Sequence, residues 1–334
     1  MTPERRKKIV FVSAAGGAVL LVAVLSVLYG STEVPLHEII RAIWNPDPAS
    51  HQHLVILELR IPRTLGCLLA GACFSAAGAI MQGVTGNPLA DSGLLGINAG
   101  AVFALALCLA FFPGMSFSGV VLFSFLGAGA AAAVVYGLMV IKRRKLDPVR
   151  LVLAGSAVSI FLSSVSQAIA IYYDIGYELT FWTAGGAAGI RGEQLFFAAP
   201  VMLAGLGMAA VLSGRVSLLS LGEEAARGLG IRVERTRTLC LFTVLLLAGS
   251  AVALTGPVAF VGLLVPHVTR FFVGSDYRWI IPSSFLTGAF FMAAADVLSR
   301  VINAPAETPV GLVFSVIGVP FFIWTVRKGE KSID

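Results

Sequence analysis

RRKKIVFVSAAGGAVLLVAVLSVLYG, residues 5–30, sets four consecutive basic residues before a run from Ile9 to Gly30 that carries no charge. A bilayer hydrocarbon core is about 30 Å thick and takes about 20 apolar residues to cross as a helix. A basic start and an apolar run also describe a signal peptide. This run is long enough to span, however, and no small-x-small cleavage pattern follows it. It reads as a retained first membrane helix.

The pattern recurs along the chain. The 334 residues are 57% hydrophobic and 13% charged, with a mean hydropathy of +0.89, which is not a soluble composition. Apolar runs between polar breaks predict about ten helices, over 9–30, 64–84, 93–112, 118–141, 150–172, 194–213, 238–255, 257–273, 279–299 and 309–326. Thr255-Gly256-Pro257 interrupts the seventh and eighth. The expected fold is an all-α, polytopic membrane protein, with residues 1–334 forming a single transmembrane domain.

Charge orients it. The segments on one side hold Arg5, Arg6, Lys7, Lys8, Lys142, Arg143, Arg144, Lys145, Arg150, Arg215, Arg227, Arg232, Arg235, Arg237, Arg270, Arg278, Arg327, Lys328 and Lys331. The other side holds only Arg41, Arg60, Arg63, Arg191 and Arg300. The positive-inside rule then puts both termini in the cytoplasm. It also accounts for the net charge of +6 without a nucleic-acid partner.

Gly71, Ser75, Ala79 and Gly83 recur at four-residue spacing, as do Gly129, Ala133 and Gly137. Small residues so spaced let helix backbones approach in lipid; a smooth pore wall is the alternative. Cys67, Cys73, Cys108 and Cys240 sit in apolar runs and read as core residues, with no metal-site or disulfide spacing. Ionisable residues avoid the middle of the spans: Asp91, Asp147, Asp296 and Arg300 fall near ends. Ion-coupled carriers need such groups at mid-depth, so transport by this chain would draw its energy from elsewhere.

One inner segment stands out. Residues 214–238, GRVSLLSLGEEAARGLGIRVERTRT, form the longest inner loop. Ser220 and Glu223 match a capping box, and Leu221, Ala225 and Leu229 recur at i, i+4, i+8 as an apolar stripe. Gly228 and Gly230 supply a stop. A short amphipathic helix of this kind lies on the membrane or on the protein's own surface, or plugs into a groove on a partner.

Residues 221–230, LGEEAARGLG, resemble the coupling-helix signature of type II ABC importer permeases, the FecCD-type membrane subunits for iron chelates, haem and vitamin B12. Three further blocks agree: 59–101, beginning LRIPRTLGCLLAG; 256–278, GPVAFVGLLVPHVTRFFVGSDYR; and 294–328, beginning AADVLSRVINAP. The resemblance covers nearly the whole chain from about residue 55. It implies a permease domain of ten helices, a second permease copy (as a homodimer), two cytoplasmic ABC ATPase subunits and an extracytoplasmic substrate-binding protein, in the bacterial inner membrane. No Gly-Lys-Ser/Thr exists in the chain, so the phosphate-cradling loop of an ATPase is missing. ATP and Mg would act on the partner, and this chain would be no enzyme and carry no cofactor or metal of its own.

The resemblance also assigns residues. Gly222, Glu223, Glu224, Ala225, Ala226, Arg227, Leu229 and Gly230 would contact the ATPase. Arg60, Arg63 and Arg300 would meet carboxylates of the binding protein, as guanidinium forks can; the alternative is snorkelling, with Arg300 paired to Asp296 at i, i+4. Asn87, Pro88 and Leu89 would lie near the cytoplasmic gate, unless Asn87-Pro88 is only a helix break. Pro148 and Val149 would lie nearby, where some relatives carry hydroxyls.

His267 in Pro266-His267 is assigned no chemistry. His51 and His53 form an exposed loop pair with little claim to a metal. Tyr172, Tyr173, Tyr177, Phe181 and Trp182 read as an interfacial aromatic belt, with contact to a flat macrocycle as the alternative. A secondary transporter would need mid-membrane ionisable groups, and a channel or scaffold leaves 221–230 without a role. The sequence motifs do not separate ferric siderophore, the default cargo, from haem or cobalamin.

Overall fold

The structure is a computed structural model that describes residues 3–30, 34–140, 148–304 and 306–330. Lys142 to Asp147 and Lys331, which carry part of the expected charge pattern, lie outside the described residues.

The described residues form helices in the expected order. They are α1 (Pro3–Leu28), α2 (Leu36–Trp44), α3 (His51–Thr85), α4 (Ile97–Phe111), α5 (Phe117–Val140), α6 (Pro148–Tyr172) and α7 (Gly176–Thr183). Then follow α8 (Gly192–Leu219), α9 (Glu223–Gly228), α10 (Val233–Thr255), α11 (Val261–Val273), α12 (Tyr277–Val301) and α13 (Val310–Glu330). Among the described residues seven helices are long and apolar enough to cross a membrane: α1, α3, α5, α6, α8, α10 and α12. The other predicted spans are shorter. The 15 residues of α4 reach about 22 Å and the 13 of α11 about 20 Å, less than the hydrocarbon thickness. Irregular backbone precedes each: a 3-10 turn at Ser92–Leu95 before α4, and residues 256–260 before α11. Phe260 there adopts φ +68°. Non-helical backbone at membrane depth is tolerated where protein buries it, and Leu95, Val258 and Val261 are buried.

The centre of the molecule is α3, most of whose apolar stretch is buried, against only 11% for α1. It packs on α12, α8, α11 and α1. Contact is backbone to backbone. A methyl group on Gly71 would strike the carbonyl of Gly288 on α12, and one on Gly78 would strike the backbone of Gly262 on α11. Between these glycines, Ser75 donates to the carbonyl of Ser284 at 2.7 Å. The first small-residue stripe is therefore a packing face. The second is not. Gly137 has open space around it, and Gly129 and Ala133 line an apolar cavity of about 200 Å³ with Leu245. The face of α5 that packs is offset: Gly127 and Ala131 meet Gly100 on α4. Four-residue spacing recurs on several faces of so small-residue-rich a helix and does not say which one has a neighbour.

Two helices carry π-helical turns, α3 at Val55–Arg60 and α10 at Leu245–Gly249. Each inserts a residue and turns the following face relative to the preceding one.

Candidate functional site

Among the described residues, Arg5 and Lys8 at the start of α1 lie beside Arg278 at the start of α12, which Ser217 and Asp276 join to the end of α8. The segment 214–238 lies here, but it is mostly helix rather than loop. The preceding helix runs on to Leu219, six residues past its expected end, and α10 begins at Val233. The expected capping box is absent for that reason. Ser220 still belongs to the last turn of α8, and its hydroxyl donates back to the Ser217 carbonyl at 2.8 Å. The N-cap of α9 is Gly222, at φ +101°, where a side chain would be strained.

The stop signal forms as the glycines suggest. Gly230, at φ +81°, closes a Schellman motif: Ile231 N–H bonds the Ala226 carbonyl at 3.0 Å, and Gly230 N–H bonds that of Arg227 at 2.9 Å. Ala226 is fully buried and anchors the helix to the core. Glu223 accepts from Arg227 at 2.6 Å and from Arg237 on α10 at 3.2 Å. The stripe Leu221, Ala225 and Leu229 faces outward, with the two leucines 63% and 60% exposed.

This platform is tied to the bundle. Ser217 near the end of α8 donates to Asp276 at 2.7 Å, and its hydroxyl accepts from Tyr277 N–H at 2.9 Å. Asp276 also N-caps α12 by accepting from Arg278 N–H. Burial acts to raise the Asp276 carboxyl, but the hydrogen bonds from Arg278 and Ser217 outweigh it and hold it below the usual carboxylate range. Nearby, Arg270 on α11 donates to Gln82 on α3 at 3.2 Å and to Tyr277 on α12 at 3.0 Å.

At the same end, α3 stops at Gly86, φ +65°. Asn87, Pro88 and Leu89 follow on the surface, with the Asn87 side chain accepting from Leu89 N–H at 2.9 Å. The loop ends on Asp91, which caps the Ser92–Leu95 turn by accepting from Ser92 N–H at 2.7 Å. Burial lifts the Asp91 carboxyl above its usual range against the two bonds from Ser92. Pro148 opens α6, and Val149 beside it is exposed.

A polar cavity of about 480 Å³ lies between α4, α6 and α7. Asn98, Ser159, Ser163, Gln167 and Thr183 line it, and it has no ionisable lining residue. Asn98 Oδ1 is buried and has no hydrogen-bond partner. The sequence reading passed over this wall. Its signal was available: Ser159, Ser163 and Gln167 recur at four-residue spacing in a span that also carries Ser156, Ser164 and Ser166, and an exposed hydrogen-bonding stripe has no partners in lipid.

The opposite end holds the three arginines. All are buried, with exposures of 6–8%. Asp296, fully buried, takes Arg63 Nε on Oδ1 at 2.9 Å and Arg300 Nη2 on Oδ2 at 2.7 Å. Arg63 reaches Glu307 at 2.8 Å. Arg300 also donates to the carbonyls of Ser26 and Tyr29 at 2.9 and 3.2 Å, and Arg60 to those of Val27 and Leu28 at 2.7 and 2.9 Å. The orphan carbonyls at the end of α1 are thus capped by two guanidinium groups. The i, i+4 pairing of Asp296 with Arg300 is present, within a larger network. His53 does not pair with His51: its ring bonds Glu38 at 3.2 Å and accepts from Asp47 N–H at 3.0 Å.

Comparison with known proteins agrees with this geometry. The family model of the FecCD transport family matches residues 18–328. The iron(3+)-hydroxamate import system permease protein FhuB of Bacillus subtilis is 43% identical over 97% of this chain and 85% of its own length. The ferric enterobactin transport system permease protein FepD of Escherichia coli is 39% identical over 96% of each chain. A solved structure described as a metal-chelate type ABC transporter in an inward-facing conformation superposes with a TM-score of 0.83 at 28% identity, covering 95% of this chain and 98% of that one. The chain belongs to the FecCD transport family.

Proposed function

We propose that this chain is the permease subunit of an ATP-driven ABC importer that takes up a metal chelate, with ferric siderophore as the leading cargo and haem or cobalamin next. The observation that carries the reading is α9: an outward apolar stripe on a capped, ion-paired platform, bonded through Ser217 and Asp276 to α12. Cytoplasmic ABC ATPase subunits, carrying ATP and Mg, would seat on Leu221, Ala225 and Leu229, with Glu224 on the rim.

The remaining assignments follow from that orientation. The basic end is cytoplasmic, both termini included, and ten spans form a single permease domain in the bacterial inner membrane. A second copy completes the pathway as a homodimer. The neutral cavity of α4, α6 and α7 forms part of the cargo route, offering hydrogen bonds without a charge that would trap a chelate. Asn87, Pro88 and Leu89, with Pro148 and Val149, stand at its cytoplasmic gate. At the other end, a substrate-binding protein docks against the region braced by Arg60, Arg63 and Arg300. There, three cations against Asp296 and Glu307 leave a positive excess for its carboxylates.

Reconstitution tests the proposal. Vesicles holding the permease, its ATPase and a binding protein loaded with a ferric siderophore are expected to accumulate iron only with ATP. Uphill accumulation by the permease alone would overturn it.

A further inference from the structure

A second cavity, of about 620 Å³, lies at the basic end between the first turns of α1 and the start of α12. Its rim is charged. Arg5, Lys8 and Arg278 contribute three cations, and Glu4 and Asp276 two anions. Asp276 is already engaged by Arg278, by Ser217 and as the cap of α12. Its floor is apolar, made by Val12, Trp279 and Pro282. The Lys8 ammonium lies over the Trp279 ring, 5.9 Å from its centroid.

One wall residue lacks a partner. Ser283 is fully buried, and its Oγ makes no hydrogen bond. Ser284 beside it on α12 is likewise buried and unpaired, whereas serines of other helices, such as Ser164, Ser166 and Ser250, donate to the carbonyl four residues back.

A charged rim over an apolar floor fits an amphiphile rather than a free ion. The cavity also opens beside the least buried helix of the bundle, with Val10 of α1 59% exposed. We propose that this cavity binds an anionic phospholipid, its phosphate between Arg5 and Lys8 and its acyl chains along the exposed face of α1. Glu4 and Asp276 offset two of the three rim cations, which leaves one net positive charge for the headgroup. Trp279 sets the depth, as tryptophan does at membrane interfaces.

The experiment uses the full chain in nanodiscs of phosphatidylcholine doped with brominated phosphatidylglycerol or brominated phosphatidylcholine. Tryptophan quenching is the readout, and Trp279→Phe assigns the signal. Brominated phosphatidylglycerol is expected to quench Trp279 at much lower mole fraction than brominated phosphatidylcholine. Each cation near an anionic headgroup is worth about fivefold in binding, so R5Q with K8Q is expected to raise the half-quenching mole fraction about 25-fold. Arg5 is exposed and Lys8 half-buried, so the thermal midpoint of the variant is measured beside the quenching to show that it keeps its fold. Equal quenching by the two lipids, or no change in the double variant, overturns the proposal. Relief of the quenching by millimolar inorganic phosphate would also overturn it, and would identify a free-anion site instead.

Discussion

Asp296 holds two guanidinium groups inside the protein, and removing its charge leaves Arg300 without its carboxylate and Arg63 with Glu307 alone. Breaking a buried pair by deleting one partner costs about 3–5 kcal/mol. Asp296→Asn is therefore expected to lower stability by at least that amount, seen as a fall in the thermal midpoint in detergent; an unchanged midpoint would refute the bracing role. Asp276 gives a pH signature. Its carboxyl is held below the ordinary value near 3.9, so its stabilisation is complete above that pH. It is lost as pH falls through the lower, folded value. Asp276→Asn is expected to remove this acid-sensitive component while leaving the rest of the unfolding profile intact. The sequence showed only part of this chemistry. Asp296 and Arg300 are one helical turn apart and legible as a pair, whereas Arg63 lies 233 residues from Asp296 and no local pattern connects them. Ser283 and Asn98 were equally illegible, because an unpaired buried group is a property of its surroundings.

At the level of the helix, the decisive element is α9. Leu229→Glu puts a charge on the outward stripe without touching the buried Ala226 anchor. It is expected to leave folding and membrane insertion unchanged and to abolish ATP-driven uptake. Retained uptake in reconstituted vesicles would remove α9 from the coupling path. Its stripe and its glycine stop were readable from periodicity. Its start was not, because Ser220 serves either as an N-cap or as the last residue of a longer helix, and only the length of α8 decides. Packing between helices gives a second prediction. Gly78→Val would drive a side chain into the backbone of Gly262, which no rotamer change relieves. Overpacking of this kind costs about 3 kcal/mol or more. Gly137→Val, in open space, is expected to cost almost nothing in the same melting assay. The sequence offered Gly137 as a member of a small-residue spacing and passed over Gly78; what separates them is whether another helix is there.

For the molecule as a whole, charge is arranged by end. Glu307 is the partly exposed member of the arginine network. Glu307→Gln increases the positive excess there without disturbing Asp296, and is expected to tighten docking of a binding protein a few-fold at low salt. The gain should vanish as ionic strength shortens the Debye length to about 8 Å. Weaker docking would mean that the partner presents cations to this face. The long-range topology has a further consequence, during synthesis. Arg63 enters the membrane on α3, while its carboxylate and the Gly288 seat arrive on α12. At about 5–20 residues per second, the 233-residue separation is a delay of roughly 10–50 s. For that interval the future keystone waits with Arg63 short of its carboxylates and a flank of bare glycines. A nascent permease stalled before residue 296 is then the species that an insertase must shelter and that a membrane protease would find first.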